Sequence, residues 1–129
     1  MKFEFNNLPW HDAELLLIEI DRTLPGHDDS ISILVKWPEE LKSRITFTNC
    51  YGFEARMNFG FIAEESILRA SVNNEQEKLY IIKENWKSMG VSLDNLKCYE
   101  IETNTTGSLL LIYAIDFQIK PEPPEPRKN

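Results

Sequence analysis

The chain has 129 residues, enough for one hydrophobic core and too few for two domains of ordinary size. Hydrophobic residues at 42% and charged residues at 27% exclude wholesale disorder. A net charge of −7 without a basic footprint excludes a nucleic-acid binder, which must displace counterions from phosphate, and disfavours an anionic membrane surface.

Phe3 and Phe5 alternate with Lys2 and Glu4 and predict a short opening strand. Asn6, Asn7 and Pro9 end it, because proline lacks the N–H that a ladder uses. Residues 13–23 predict a second strand, apolar on both faces over Leu15, Leu16, Leu17 and Ile18, then one-sided where Glu19 and Asp21 alternate with Ile20 and Arg22. Leu24, Pro25, Gly26, His27, Asp28 and Asp29 have the composition of a turn. Beyond it Ile31, Ile33, Val35 and Trp37 form the apolar face of a third strand, so the two strands should make a hairpin. Pro38, Glu39, Glu40 and Leu41 suit one helical turn, with acids near its positive end.

From Ile45 the odd positions read Ile, Phe, Asn, Tyr, Phe, Ala, Met, Phe and Phe as far as Phe61, with mostly polar residues between them. That is period-two alternation, and Asn49, Cys50, Tyr51 and Gly52 are expected to bend it into a second hairpin. Over 64–72 the alternating Leu68, Ala70 and Val72 favour a strand, while Ala63, Glu64 and Glu65 suit the opening of a short helix, and both readings stand. Asn74 followed by Glu77 has the form of a capping box, and Leu79, Ile82, Trp86 and Met89 share one helical face, predicting a helix over about residues 75–89 with Gly90 just past its end.

Residues 96–103 and 108–119 then predict a closing hairpin around Asn104, Thr105, Thr106 and Gly107. Residues 109–115 have no polar face, so their strand should be central and covered on both sides, by the helix and by either a second sheet or the curl of the same sheet. The proline-rich residues 120–129 are expected to be a disordered tail after a single domain over 1–119. The expectation is a β-dominated α+β domain: a mostly antiparallel sheet or sandwich of about 6–8 strands with one main helix packed on it.

The start places an acid and two amides where a signal peptide needs an apolar run. The longest apolar run, 109–115, is seven residues, against the roughly 20 of a membrane span. These features predict a cytoplasmic protein. Cys50 and Cys98, far apart, make neither a disulfide framework nor a zinc pattern and are expected to be free thiols.

The chemistry-bearing residues gather early. Residues 1–40 carry nine acids against Lys2, Arg22 and Lys36, a charge of −6 in the first third. Both histidines precede an aspartate, as His11-Asp12 and His27-Asp28-Asp29, and imidazole beside carboxylate suits metal binding and proton transfer. A strand of about ten residues at about 3.3 Å each separates the two pairs by more than about 30 Å, so they should share no metal. The serines lack nucleophile-elbow contexts, and the scattered glycines form no phosphate loop. No catalytic residue, metal or cofactor is therefore assigned.

Two readings of Trp10-His11-Asp12 stand side by side: a turn that fixes entry into the strand, and a recognition patch with an aromatic anchor. The binding candidates are Trp10, His11, Asp12, Glu14, Glu19, Asp21, Asp28 and Asp29, and the complementary partner is a basic protein.

Trp10-His11-Asp12-Ala13 before Glu19-Ile20-Asp21, together with Tyr99-Glu100-Ile101-Glu102-Thr103-Asn104 before Gly107-Ser108, resembles small bacterial β-rich proteins, some of them like immunity proteins of polymorphic toxin systems. The resemblance covers the two ends of the chain and brings no catalytic or toxin-contacting motif. The acidic first third without a catalytic constellation points to a non-enzymatic binding protein, and the resemblance implies an immunity-type inhibitor of a basic toxin or other basic protein partner. The alternatives are a small-molecule-binding domain or minor enzyme with a cavity near His11 and Asp12, and a structural domain that dimerises through a sheet edge.

Overall fold

The computed structural model describes residues 4–123, which form one antiparallel sheet and one helix. In chain order the elements are a 3₁₀ turn (Phe5–Asn7), β1 (Glu14–Asp21), β2 (Ser30–Lys36), β3 (Lys42–Arg56), β4 (Ile67–Val72), α1 (Glu77–Lys87), β5 (Lys97–Thr103) and β6 (Leu109–Pro121). The strand order is β1-β2-β3-β6-β5-β4, with every pairing antiparallel. The sheet is open but strongly curved, and its two edge strands meet at one corner. There Asp12 N donates to Ile67 O (3.0 Å), Ile67 N to Ala13 O (2.7 Å) and Leu15 N to Glu65 O (2.8 Å).

The curl answers how the apolar faces are covered. Ile31, Ile33 and Val35 of β2, Ile45 and Phe47 of β3, Ile101 of β5, and Leu110, Ile112 and Ala114 of β6 pack together on the concave side. The interleaved Leu111 and Tyr113 of β6 and Cys98 of β5 point the other way, under Leu79 and Ile82 of α1 and under Leu93 and Leu96. β6 is thus central and covered on both faces, as its unbroken apolar run requires.

The expected opening strand is a 3₁₀ turn at Phe5, while Phe3 lies outside the described residues. Phe5 is a plug in the concave core, its ring beside Trp10, Phe47, Tyr99 and Phe117, which fixes the chain in a turn. β1 is an edge strand, and where its register with β2 slips between Leu15 and Leu17 the residues Leu16 and Leu17 are exposed instead of interior as expected. Residues 38–41 form a tight turn without helix, closed by Glu40 N to Trp37 O and Trp37 N to Leu41 O, with Glu40 at φ 77°.

The expected second hairpin is one strand of 15 residues, β3, bent at a bulge where Asn49 takes φ 52° and the β6 register slips between Cys50 and Gly52. A turn-rich composition serves a bulge as well as a hairpin, because both need one residue with positive φ. The strand ends at Arg56, so Phe59 and Phe61 are exposed in a loop instead of continuing the apolar face. Asn58 draws the chain aside: its N–H donates to Ser108 Oγ and its side-chain amide to Thr106 O.

Residues 67–72 are the expected strand. The helix is shorter than its pattern: its N-cap is Gln76, with no side-chain cap bond, so the capping box expected of Asn74 and Glu77 does not form, and upstream the Asn73 side chain accepts from Glu75 N. Leu79 and Ile82 are buried, Trp86 half-buried, and Met89 exposed beyond the helix end. Gly90 takes φ 83° and Val91 N donates back to Trp86 O, the glycine closure expected there. At the other terminus Lys120 and Pro121 still pair with Arg44 and Ser43, so β6 extends into the expected tail; the remainder of that tail, from residue 124, lies outside the described residues.

Candidate functional site

The β1–β2 hairpin is built by two of the predicted acids. Gly26 takes φ 79°, and Leu24 O accepts from His27 N and Asp28 N. Asp29 closes the loop from inside, accepting from Arg22 Nε at 2.9 Å and from Gly26 N at 3.2 Å. The guanidinium of Arg22, and then the Gly26 amide, hold the Asp29 carboxyl below its ordinary range. Asp21 accepts from Thr23 N (2.9 Å) and Thr23 Oγ1 (2.8 Å), and those two bonds lower its pKa likewise. Asp28 is exposed between His27 and Asp29.

This turn leans over the bulge of β3. The carbonyl of Asp29 accepts from Cys50 N at 2.9 Å, tying the hairpin to the bulge. On the far side the end of α1 contributes Trp86, edge-on to Tyr51 with centroids 5.2 Å apart, and Gly90 returns Val91 beside it. Between the three lies a groove of about 580 Å³. Ile20, Ile31, Phe53, Tyr51, Trp86 and Val91 give it apolar walls, and Asp21, Arg22, His27 and Asp29 its charged rim. Cys50 also lines it; burial pushes that thiol up to about 12, so it is a protonated, inert wall at neutral pH.

The second group of predicted residues sits at the opposite end of β1, about 25 Å along an eight-residue strand. Trp10 is 4% exposed, donates Nε1–H to Phe5 O at 2.7 Å and packs edge-on against Trp37. It is core, and cannot be a surface anchor. His11 lies with Nδ1 3.1 Å from Leu68 O and Nε2 3.7 Å from Asp12 Oδ2. Both side chains are exposed, where such a pair contributes little. Asp12, at φ 67°, makes the turn that lets residues 12–15 meet 65–67, and Glu14 bridges to Ser66. The Trp10-His11-Asp12 segment therefore has the strand-entry geometry, and it also caps the outer edge of β4.

Glu19 is apart from both groups, 3.3 Å from Arg44 on the convex face. The predicted acids are thus divided: Asp21, Asp28 and Asp29 at the hairpin, Glu19 on the sheet, Asp12 and Glu14 at the corner. Among the described residues no three His, Cys, Asp or Glu side chains are placed to hold a metal ion. No helix among them is long and apolar enough to cross a membrane.

His27 is on the rim of the groove, whereas the cavity expected from the sequence is beside His11. Its apolar walls were missed because Tyr51, Phe53, Trp86 and Val91 come from separate elements. The available signal was Asn49 followed by Gly52 inside an alternating strand, which marks a bulge. No protein-family model matches the chain, and no curated protein matches it.

Proposed function

We propose that the protein is a non-enzymatic binding domain for a basic protein partner, in the manner of an immunity-type inhibitor of a basic toxin. The supporting observation is the pairing of an apolar groove with an acidic hairpin. Trp86, Tyr51, Phe53 and Ile20 offer the aromatic and aliphatic surface from which interface hot spots are made. Among the residues that line it Asp21 and Asp29 outnumber the one guanidinium, Arg22, and exposed Asp28 is next to Asp29 in the chain, so the rim favours a cation. Asp21 and Asp29 are held charged by their turn bonds, so that field persists well into acid.

The edge strand beside the groove supports the same reading. β1 exposes Leu16, Leu17 and Ile20 among acids, a surface that is unusual to leave to water. Affinity capture from a native lysate at about 50 mM and about 500 mM salt tests the proposal, since screening weakens exposed charge pairs over that range. The expected result is one positively charged protein retained at low salt and lost at high salt, and lost also from Asp28→Lys. Recovery of no basic protein, or retention indifferent to salt and to that variant, overturns it.

A second reading has an observation of its own. About 580 Å³ with mainly apolar walls is the size of an ordinary small-molecule site. Ligand-induced quenching of Trp86 fluorescence with no captured protein would favour it.

A further inference from the structure

We infer that the groove takes an extended, basic segment of the partner, added as a strand beside the second half of β3. The inference rests on the proposed reading of a basic protein partner and names how that partner is held.

β3 is twice as long as its neighbour β2. The β2 pairing stops at Ile31 opposite Phe47, and the last bond across that edge is Cys50 N to Asp29 O. From Tyr51 to Arg56 the strand continues, paired on its other side with β6 as far as Leu109. Among the described residues no strand pairs with the β2-side edge of residues 51–56. Six residues at about 3.3 Å each leave roughly 20 Å of ladder open, enough for a short extended peptide.

The β4 edge is handled differently. Along β4, Ile67 bonds Ala13 and Asp12, Leu68 O faces His11 Nδ1, and Val72 N donates to Asn6 Oδ1. That edge is blocked by the N-terminal segment. Tyr51, Gly52 and Phe53 of the open length of β3 instead line the groove, so backbone pairing and side-chain insertion coincide there.

A strand laid along this edge would send alternate side chains toward Trp86 and Val91 and bring its basic residues to Asp21 and Asp29 on the groove's rim. The bulge at Asn49 turns the start of this edge away from β2, which is why hairpin and open ladder diverge. A second copy of the chain is a poorer occupant, since each copy carries −7.

The test uses the full chain and a phage-displayed library of random short peptides, followed by synthetic copies of the enriched members. Three results are expected together. Enriched peptides alternate apolar residues with Lys or Arg; their binding slows hydrogen exchange at amides within 51–56; and N-methylation of the peptide backbone abolishes binding at every second position. Val91→Lys, at a part-exposed site outside the core, should weaken them about tenfold or more.

Basic peptides that protect the β1 edge instead would overturn the strand addition while leaving the basic-partner reading intact. Neutral or acidic peptides protecting 51–56 would overturn that reading and keep the strand addition. No enrichment, N-methylation tolerated throughout, or self-association of the free chain in light scattering would each overturn the inference.

Discussion

Trp10 donates its indole N–H to the carbonyl of Phe5 at 2.7 Å while the two rings lie 4.8 Å apart, so a residue outside the sheet is clamped into its concave core. Phe5 touches the rings of Phe47, Tyr99 and Phe117, and therefore joins β3, β5 and β6 from inside. Phe5→Ala should cost about 3–5 kcal/mol of stability, the usual range for deleting a buried aromatic ring. Trp10→Phe keeps much of the packing and removes one buried hydrogen bond, so about 1–2 kcal/mol is expected. Urea unfolding followed by circular dichroism gives both numbers; equal losses would show that the hydrogen bond is not the distinguishing feature.

Gly52 lies where β3 passes under α1. A Cβ there would stand 3.0 Å from Ile82 Cδ1 and 3.1 Å from the Tyr113 ring. Gly52→Ala should therefore destabilise by about 1–3 kcal/mol, the range for overpacking. Ile82→Val removes the methyl that is struck, so the double variant should recover part of the loss. A thermodynamic cycle on the four proteins checks this, and strict additivity would refute the clash.

Glu40 occupies the left-handed region at φ 77°, where a side chain costs about 1 kcal/mol or more and glycine costs nothing. Its carboxylate pairs with Lys36 Nζ at 2.8 Å, with the Glu40 side chain 77% exposed. Exposed pairs contribute little, so relief of strain should win. Glu40→Gly is expected to raise the midpoint of thermal unfolding, and a lowered midpoint would mean the ion pair outweighs the backbone.

The acid limb of stability should trace to the hairpin. Asp21 and Asp29 have folded pKa values below the ordinary 3.8, held there by Thr23 and by Arg22 with Gly26. Groups depressed on folding contribute stability that is complete above the unfolded pKa and vanishes as pH falls through the folded one. Stability from this source should thus be flat above about pH 5 and decline below the ordinary aspartate range. Asp21→Asn and Asp29→Asn should each flatten that decline, as chemical denaturation across the acid range would show.

The two thiols should be silent in the folded protein. Burial pushes Cys50 up to about 12 and Cys98 up to about 11, leaving almost no thiolate at neutral pH. Reaction with a disulfide reagent at neutral pH should be slow in buffer and immediate in denaturant. Fast labelling of Cys50 alone would show that the groove opens to the reagent.

Several elements were legible because their information is local. Leu79, Ile82 and Gly90 announced a helix and its end, and Ile31, Ile33 and Val35 announced a strand with one buried face. Leu110 to Ala114 announced a central strand, because no run without a polar face can border water. The candidate site was less legible. In the sequence Asp21, Asp28 and Asp29 stand in one list of binding candidates with Trp10, which is buried at the other end of β1. An aromatic beside charged neighbours looks alike whether it faces solvent or core.

Composition and periodicity, then, settled that this chain makes antiparallel strands and one covering helix, since a strand or helix face is encoded within a few neighbouring residues. Tertiary structure alone decided that Asn49 bends a strand instead of ending it, that Phe5 plugs the curved sheet, and that Ile20, Tyr51 and Trp86 share a groove. The reason is physical: a positive φ serves bulge and turn equally, and contacts between residues far apart in the chain depend on the curvature and register of the whole sheet.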